Sequence, residues 1–415
     1  MHDVIVIGAG AAGLLAAARA AEQGAQTLLL EKNRKPAVKI LMSGGTRCNI
    51  TQSTDVKGIV TAYGATGKFL HSALAGLDPQ AVIELFHAEG VPTKVESTGK
   101  IFPVSDKAQD VQQALLRRLA RSGAELKTET PVTAIRRTEV GFEVAGLQQT
   151  WKSRKLILTT GGQSYPGCGT TGEGYAWATA LGHTVVPTRP ALVPITSTAN
   201  WVRDLSGVTL PEVLVRVLEP GQRKPLAQQQ GSLLFTHFGL SGPAILNVSR
   251  VISGHLRPAN LTLECDLLPT STEEQLLSEL QSSGQAAGSQ LVLSRWSEHL
   301  PRRVVEAIFG IAGISLTRKS AELSKAERGR LVGATKRLPI PVTGTLGFEK
   351  AEVTAGGIAL SEVDSRTMES KLIPGLYFAG EILDLDGPIG GYNFQAAFST
   401  GWLAGTSAAA CRRTL

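Results

Sequence analysis

Gly8, Gly10 and Gly13, with a glutamate at position 31, are the residues whose spacing most directly implies chemistry. They stand between a short apolar run, Val4 to Ile7, and an Ala- and Leu-rich segment to Glu22 with helical periodicity. Gly8 permits a tight turn, Gly10 lets backbone approach a pyrophosphate, and Gly13 lets the helix pack closely on a sheet. The first-turn N–H groups, those of Ala11 and Ala12 among them, have no helical carbonyl to bond and favour an anion. A second apolar run, Thr27 to Leu30, ends in Glu31, 18 residues after Gly13 and placed to accept hydrogen bonds from an adenosine ribose. An acid there disfavours a 2′-phosphate and suits FAD or NAD. Glycine triplets alone are common; strand, helix, second strand and acid in register specify a dinucleotide site.

The remaining elements must position that site. Helices are expected at Lys68 to Ala75, Pro79 to Glu89 and Asp106 to Ser122, the last with Ala108, Val111, Leu115 and Leu119 along one stripe. Strands are expected at Glu125 to Thr128, Val132 to Arg137, Gly141 to Val144 and Lys155 to Thr159, the last running into Gly161-Gly162. Pro187 to Pro194 reads as a boundary. Beyond it, Val208 to Leu210, Val213 to Leu218, Gly231 to Phe235 and Leu261 to Cys265 suggest a mostly β domain. Glu273 to Leu280 and Gln290 to Trp296 are the better helices that follow, and Ser324 to Arg330 is weakened by Gly329 and Gly333. Leu376 to Ala379 reads as a last buried strand, and a final helix starts after Gly390-Gly391. The order predicts an α/β protein in which both chain ends form one domain around an insertion. The boundaries are 1–190 plus 345–415 for the dinucleotide domain, 191–270 with about 338–344 for the β domain, and 271–337 for a small basic helical cap.

No run of 18 apolar residues exists, so neither a membrane span nor a signal peptide is expected and the cytoplasm is the predicted address. Cys48, Cys168, Cys265 and Cys411 form no CxxC pair, and the seven histidines form no HxH or HxxxH, which argues against metal and dithiol centres. The net charge of +7 is concentrated: Leu291 to Ile340 holds ten Lys or Arg against four Glu, an excess of six. Such a surface attracts polyanions, with Lys319, Arg328, Arg330 and Arg337 as candidate RNA contacts, or it is a solvated helical face.

Several strings then point to a family. GAGAAGL from Gly8, KILMSGGTRCNIT from Lys39, FPVSDKAQDV from Phe102, TTGGQSYPGCGTTGEGY from Thr159, PALVPI from Pro190, FTHFGLSGPAIL from Phe235 and GLYFAGEILDLDGPIGGYNFQAAFSTG from Gly375 span nearly the whole chain. On these the chain resembles the bacterial Haemophilus-type flavoproteins, also called aminoacetone oxidase family FAD-binding enzymes. Thr46 departs from the family, which usually has a small residue there. The resemblance implies a Rossmann-like FAD domain of the glutathione reductase type, interrupted by a mostly β and a small helical domain. It implies FAD contacts from Gly8, Gly10, Ala11, Ala12, Gly13, Glu31 and Lys32, and from Gly44, Arg47 and Cys48. It also implies contacts from Val132 and Gly161, from the return at Gly380-Glu381, and from Gly391, Tyr392 and Asn393. Relatives are linked to reduction of conjugated C=C bonds, in oxidised bile acids and in a uridine of 23S ribosomal RNA.

On that footing four side chains are candidates for the chemistry. Lys39 or Arg47 would hold a substrate carbonyl or phosphate, although Arg47 would equally serve to bridge the loop to the pyrophosphate. Cys48 would donate a proton to the alkene carbon, or simply pack behind the ring. His237, with Ser241, would bind or protonate substrate, or hold a tight loop; Tyr165 and Tyr392 are alternative acids. Asp386 or Glu381 would reach the ribityl chain or pyrophosphate, or cap a turn. No second complete GxGxxG unit is present, so NAD(P)H is expected as a transient reductant without a domain of its own. The leading expectation is an FAD- and NAD(P)H-dependent reductase of an activated C=C bond, in a 23S rRNA uridine or a small conjugated carbonyl compound. An amine or aminoketone oxidase and a non-catalytic RNA-binding flavoprotein are the alternatives.

Overall fold

The glycine turn follows a strand enclosed on both sides. The computed structural model describes residues 1–222, 224–286 and 289–410, with the backbone alone for 283–286; Cys411 falls outside them. His2–Ile7 pairs in parallel with Thr27–Leu30 and with Thr150–Leu158. Glu125–Lys127 extends the sheet beyond Thr27–Leu30, and Leu376–Phe378 joins Thr150–Leu158 in parallel. Val4, Ile5 and Val6 are wholly inaccessible to solvent. Burial on both faces demands near-continuous apolar runs, which is why these strands were legible. Thr150–Leu158 begins five residues earlier than Lys155. Its first half pairs antiparallel with Gly141–Gly146, itself in a hairpin with Val132–Thr138. Lys152 and Arg154 there face solvent while Trp151 and Ser153 are buried, so that half shows no apolar run.

Two helices carry this sheet's ligand end. Ala11–Glu22 and Tyr392–Ala409 lie in backbone contact: a Cβ on Gly401 would sit 2.4 Å from Ala12 O, and one on Gly405 2.3 Å from Ala16 O. Only glycine allows that approach, and it joins the two chain ends. The stretch expected as one helix from Lys68 is a 3-10 turn, Gly64–Leu70, followed by a short helix, His71–Gly76.

After the five-residue helix Val38–Met42, the loop holds Gly44, Gly45, Thr46 and Cys48 at positive φ. Thr46, exposed at φ 70°, occupies a conformation that a β-branched residue adopts only under strain. Thr46→Gly should therefore raise the urea midpoint, by up to about 1 kcal/mol of stability, with unchanged slope.

Residues Met1–Pro190 and Glu352–Leu415 form one unit and Ala191–Ala351 a second. The return to the first unit comes at Glu352 instead of 345, because Gly344–Thr345 pairs with Ile195–Thr196 inside the second. That unit is built on an antiparallel sheet with Leu338–Pro341 and Gly344–Thr345 at its two edges. Both edges come from one short stretch, so the sheet curls until they meet, and Ser197 Oγ donates to Pro341 O at 2.7 Å. The segment expected as a separate helical cap shares one apolar core with this sheet: Trp296, Phe309, Leu331, Val215 and Leu263 belong to it. Two of this unit's helices, Pro243–Ser253 and Arg302–Ala312, were not anticipated. Pro243 and Pro301 stand at their starts, where a proline costs no hydrogen bond. Lys325–Lys336 runs through Gly329 and Gly333, started by a reciprocal cap between Ser324 and Glu327 and held by buried Leu331 and Val332.

Candidate cofactor and active site

Gly8 adopts φ 100° and its N–H donates to Leu30 O at 2.8 Å, turning the chain at the strand end. Thr159 Oγ1, from the adjacent strand end, donates to Ile7 O at 2.9 Å and Gly8 O at 2.8 Å. A Cβ on Gly13 would lie 1.8 Å from Gly8 O, whereas one on Gly10 meets nothing within 4 Å. The turn is thus closed on the sheet side and open beside Gly10. No side chain caps the following helix, and Leu14 N–H is the first to bond back, to Gly10 O. The N–H groups of Ala11, Ala12 and Gly13 are left for an outside acceptor.

Glu31 is buried at the end of the second strand. Its Oε2 accepts from Ala9 N and its Oε1 from Asn33 N, both at 2.8 Å. Each oxygen keeps a lone pair for a ribose hydroxyl. Thr130 N donates to Glu31 O at 2.9 Å, which fastens the loop leading to Val132 beside it. Lys32 is committed to Glu173 and Thr171.

At the other end, Gly380 at φ 77° fits against the first helix: a Cβ there would be 2.8 Å from that of Ala12. The final helix starts without a side-chain cap after Gly390-Gly391, and Gln395 N–H is the first to bond back. Asn393 braces the preceding loop, accepting from Gly387 N at 2.9 Å and donating to Gly387 O at 3.0 Å. Buried Tyr63 donates to Tyr392 O at 3.1 Å; burial raises its hydroxyl pKa, and Asp386 adds to the effect. Two uncapped helix starts, a turn open beside Gly10 and a buried acid with lone pairs to spare fit a long cofactor with a pyrophosphate, as in FAD.

Between these ends lies a polar network. Lys39 Nζ donates to Ser164 Oγ at 2.7 Å and to Glu381 Oε2 at 2.5 Å, and Ser164 Oγ donates to Glu381 Oε1 at 2.7 Å. Thr354 N donates to the same Oε1 at 2.9 Å, while Thr354 Oγ1 accepts from Gln163 N and Ser164 N. Gly162 is required here, since its Cβ would fall 2.3 Å from Thr354 Oγ1. Lys39 and Glu381 are thus joined. Ser164 and Thr354, which join them, carried no signal in the sequence beyond their place beside glycines. Gly161, at φ 72°, precedes this turn.

The other expected groups are placed differently. Arg47 donates to Glu96 Oε1 at 2.6 Å, lies 3.5 Å from Asp106 Oδ1 and sits 4.0 Å over the Phe102 ring, so its charge is met by a neighbouring segment. Gly44, at φ 56°, packs in the same loop. Cys48 is fully buried, and burial pushes its thiol up to about 12. That is the packed-thiol position, with no exposed sulfur to meet a ligand. His237 lies in the second unit, exposed, its ring edge-on to Phe238 at 5.0 Å. Among the described residues no cluster of His, Cys, Asp and Glu is arranged to hold a metal, and no helix is long and apolar enough to cross a membrane.

The basic segment is partly neutralised. Arg295, Arg302, Arg318, Lys336 and Arg337 pair with Glu279, Glu306, Glu327, Asp266 and Glu273. Arg303, Arg328 and Arg330 bond to backbone carbonyls and keep their net charge.

Residues 2–407 match the family model described as HI0933-like protein Rossmann domain. The chain is 34% identical to the ribosomal RNA dihydrouridine synthase of Escherichia coli, over 96% of both chains. It is 30% identical to the 3-dehydro-bile acid delta(4,6)-reductase of Clostridium scindens, over 99% of both. Among solved structures it resembles 3-ketosteroid-delta4-(5alpha)-dehydrogenase of Rhodococcus jostii, with a TM-score of 0.50, 17% identity and coverage of 99% and 97%. That last likeness is one of fold.

Proposed function

We propose, because this chain belongs to the HI0933-like Rossmann-domain family and is an FAD-dependent oxidoreductase, that it uses NAD(P)H to saturate a C=C bond conjugated to a carbonyl. The substrate we assign is a uridine of 23S ribosomal RNA, which places the protein in the cytoplasm. The observation that carries this reading is the full-length similarity to two enzymes whose names share that chemistry on very different substrates. Dihydrouridine is uridine with its C5–C6 bond saturated, and that bond is conjugated to a carbonyl.

When bound, FAD supplies a ring that takes a hydride from nicotinamide and passes it to an electron-poor carbon. The chain's own groups hold and polarise. The Gly8–Gly13 turn would bind the pyrophosphate, Glu31 the ribose, and the first turn of the final helix would favour negative charge on the reduced ring. Lys39, fixed by Ser164 and Glu381, would keep its third N–H to donate to a substrate carbonyl without needing to reorganise.

Mass spectrometry tests the reading. Unmodified 23S rRNA incubated with holoenzyme and NADPH should gain the mass of one H2 at a uridine. If the RNA is untouched while a small enone is reduced, the substrate assignment falls and the chemistry stands. The cations that keep their charge give a second test. Changing Arg303, Arg328 and Arg330 together to Gln should flatten the log–log salt dependence of RNA binding by roughly 2 with flavin content unchanged. An unaltered slope would make that surface a solvated face.

A further inference from the structure

Glu352 is the acid beside this network that the chemistry above does not use. It immediately precedes the strand Val353–Ile358, whose Thr354 is bonded to Glu381 and to the 163–164 turn. Ser164 Oγ, already shared with Lys39 and Glu381, lies 3.4 Å from Glu352 O. Residue 352 is the bend that leads the chain into this strand, beside Lys39. Lys39, Lys100 and Tyr165 are the charged and titratable groups that face its carboxylate. Among the described residues that carboxylate has no hydrogen-bond or ion-pair partner, and the residue is half-buried. Glu381, a few residues away in space, accepts three hydrogen bonds and one positive charge. Two carboxylates thus share one corner in opposite environments, one solvated by the protein and one left without donors.

We propose that Glu352 is the proton donor of the reduction. This rests on the C=C reading above. The substrate's β-carbon gains a hydride from the reduced cofactor, and the electron pair of the C=C bond takes the proton of the Glu352 carboxyl at the α-carbon. One C–H bond forms as the O–H bond breaks, and the carboxylate left behind is reprotonated from water. Burial raises the Glu352 carboxyl above its ordinary 4.5, against the pull of Lys39 and Lys100, which favours a retained proton. Contrasting environments for neighbouring carboxylates are a recurrent way of dividing such roles. Tyr165, also half-buried, is pushed further from titration by the same desolvation and is the weaker acid.

Glu352→Gln keeps the shape and removes the acidic proton. With cyclohex-2-enone and unmodified 23S rRNA as probes, anaerobic reoxidation of NADPH-reduced flavin should slow about 100-fold or more. Wild-type reoxidation should fall as pH rises through the carboxyl's titration, and the variant's should not follow that limb. Independently of turnover, infrared titration should show a protonated carboxyl band persisting above pH 4.5 that is absent from the variant. Flavin content and thermal melting verify that the variant folds, and Glu352→Asp should recover part of the rate at unchanged KM. If wild-type flavin is reoxidised by neither probe, the C=C reading fails. If it is reoxidised and Glu352→Gln matches it in rate and pH profile, or the infrared band survives, the assignment to Glu352 fails.

Discussion

Gly10→Ala should give a folded protein that binds its flavin at least tenfold more weakly, whereas Gly13→Ala should destabilise the fold itself. Position 10 has φ −80°, which any residue adopts, and a Cβ there meets no atom within 4 Å. The added methyl therefore costs the apoprotein less than about 1 kcal/mol, while it fills the space that lets a pyrophosphate approach the backbone. A tenfold or greater loss of FAD affinity, roughly 1.4 kcal/mol, is expected from titration of the apoprotein. At position 13 the same methyl would be 1.8 Å from Gly8 O and 2.6 Å from Thr159 Oγ1. The strand–turn–helix cannot open there without breaking the bonds that Thr159 makes to Ile7 and Gly8. Destabilisation above about 3 kcal/mol should follow, seen as insoluble protein or a collapsed melting temperature. Full flavin occupancy with wild-type affinity in Gly10→Ala would move the pyrophosphate away from this turn.

The second large effect is expected at Glu381. Truncation to Ala would leave Lys39 Nζ, Ser164 Oγ and Thr354 N without their shared acceptor. The Lys39 and Glu381 side chains keep 25% and 19% of their exposure, so water would compensate in part. We expect Glu381→Ala to cost about 2–4 kcal/mol in denaturant unfolding of the apoprotein. Glu381→Gln should cost less, because an amide oxygen still accepts from Thr354 N. Combining Glu381→Gln with Lys39→Met should recover roughly 1 kcal/mol relative to the sum of the single changes. Strict additivity in that cycle would mean that Lys39 and Glu381 do not sense each other.

How much of this was legible in the amino-acid order differs from residue to residue. The Gly8–Gly13 turn and Glu31 were, because a dinucleotide turn imposes its requirements over a few consecutive residues: no Cβ at fixed offsets, then an acid where the next strand ends. Arg47 and Cys48 were drawn into the same picture by their place in a polar, glycine-rich loop. Sequence proximity, however, does not reveal that Glu96, Asp106 and Phe102 take up the guanidinium, or that Cys48 faces inward. Helix Arg302–Ala312 and the full length of Lys325–Lys336 were missed for the opposite reason. Prolines and glycines count against a helix locally, and only burial in a common core outweighs them.

By itself, then, the order of residues determined whatever depends on short range: the buried parallel strands, the glycine turn, the acid that ends the second strand and the family to which they belong. Tertiary structure alone decided which distant groups meet. Lys39, Ser164, Thr354 and Glu381 come from four separate segments and form one network, while the carboxylate of Glu352 beside them has no partner among the described residues. The physical reason is that a side chain's charge state and hydrogen bonds are set by neighbours in space. Strands that pack side by side supply those neighbours from any distance along the chain.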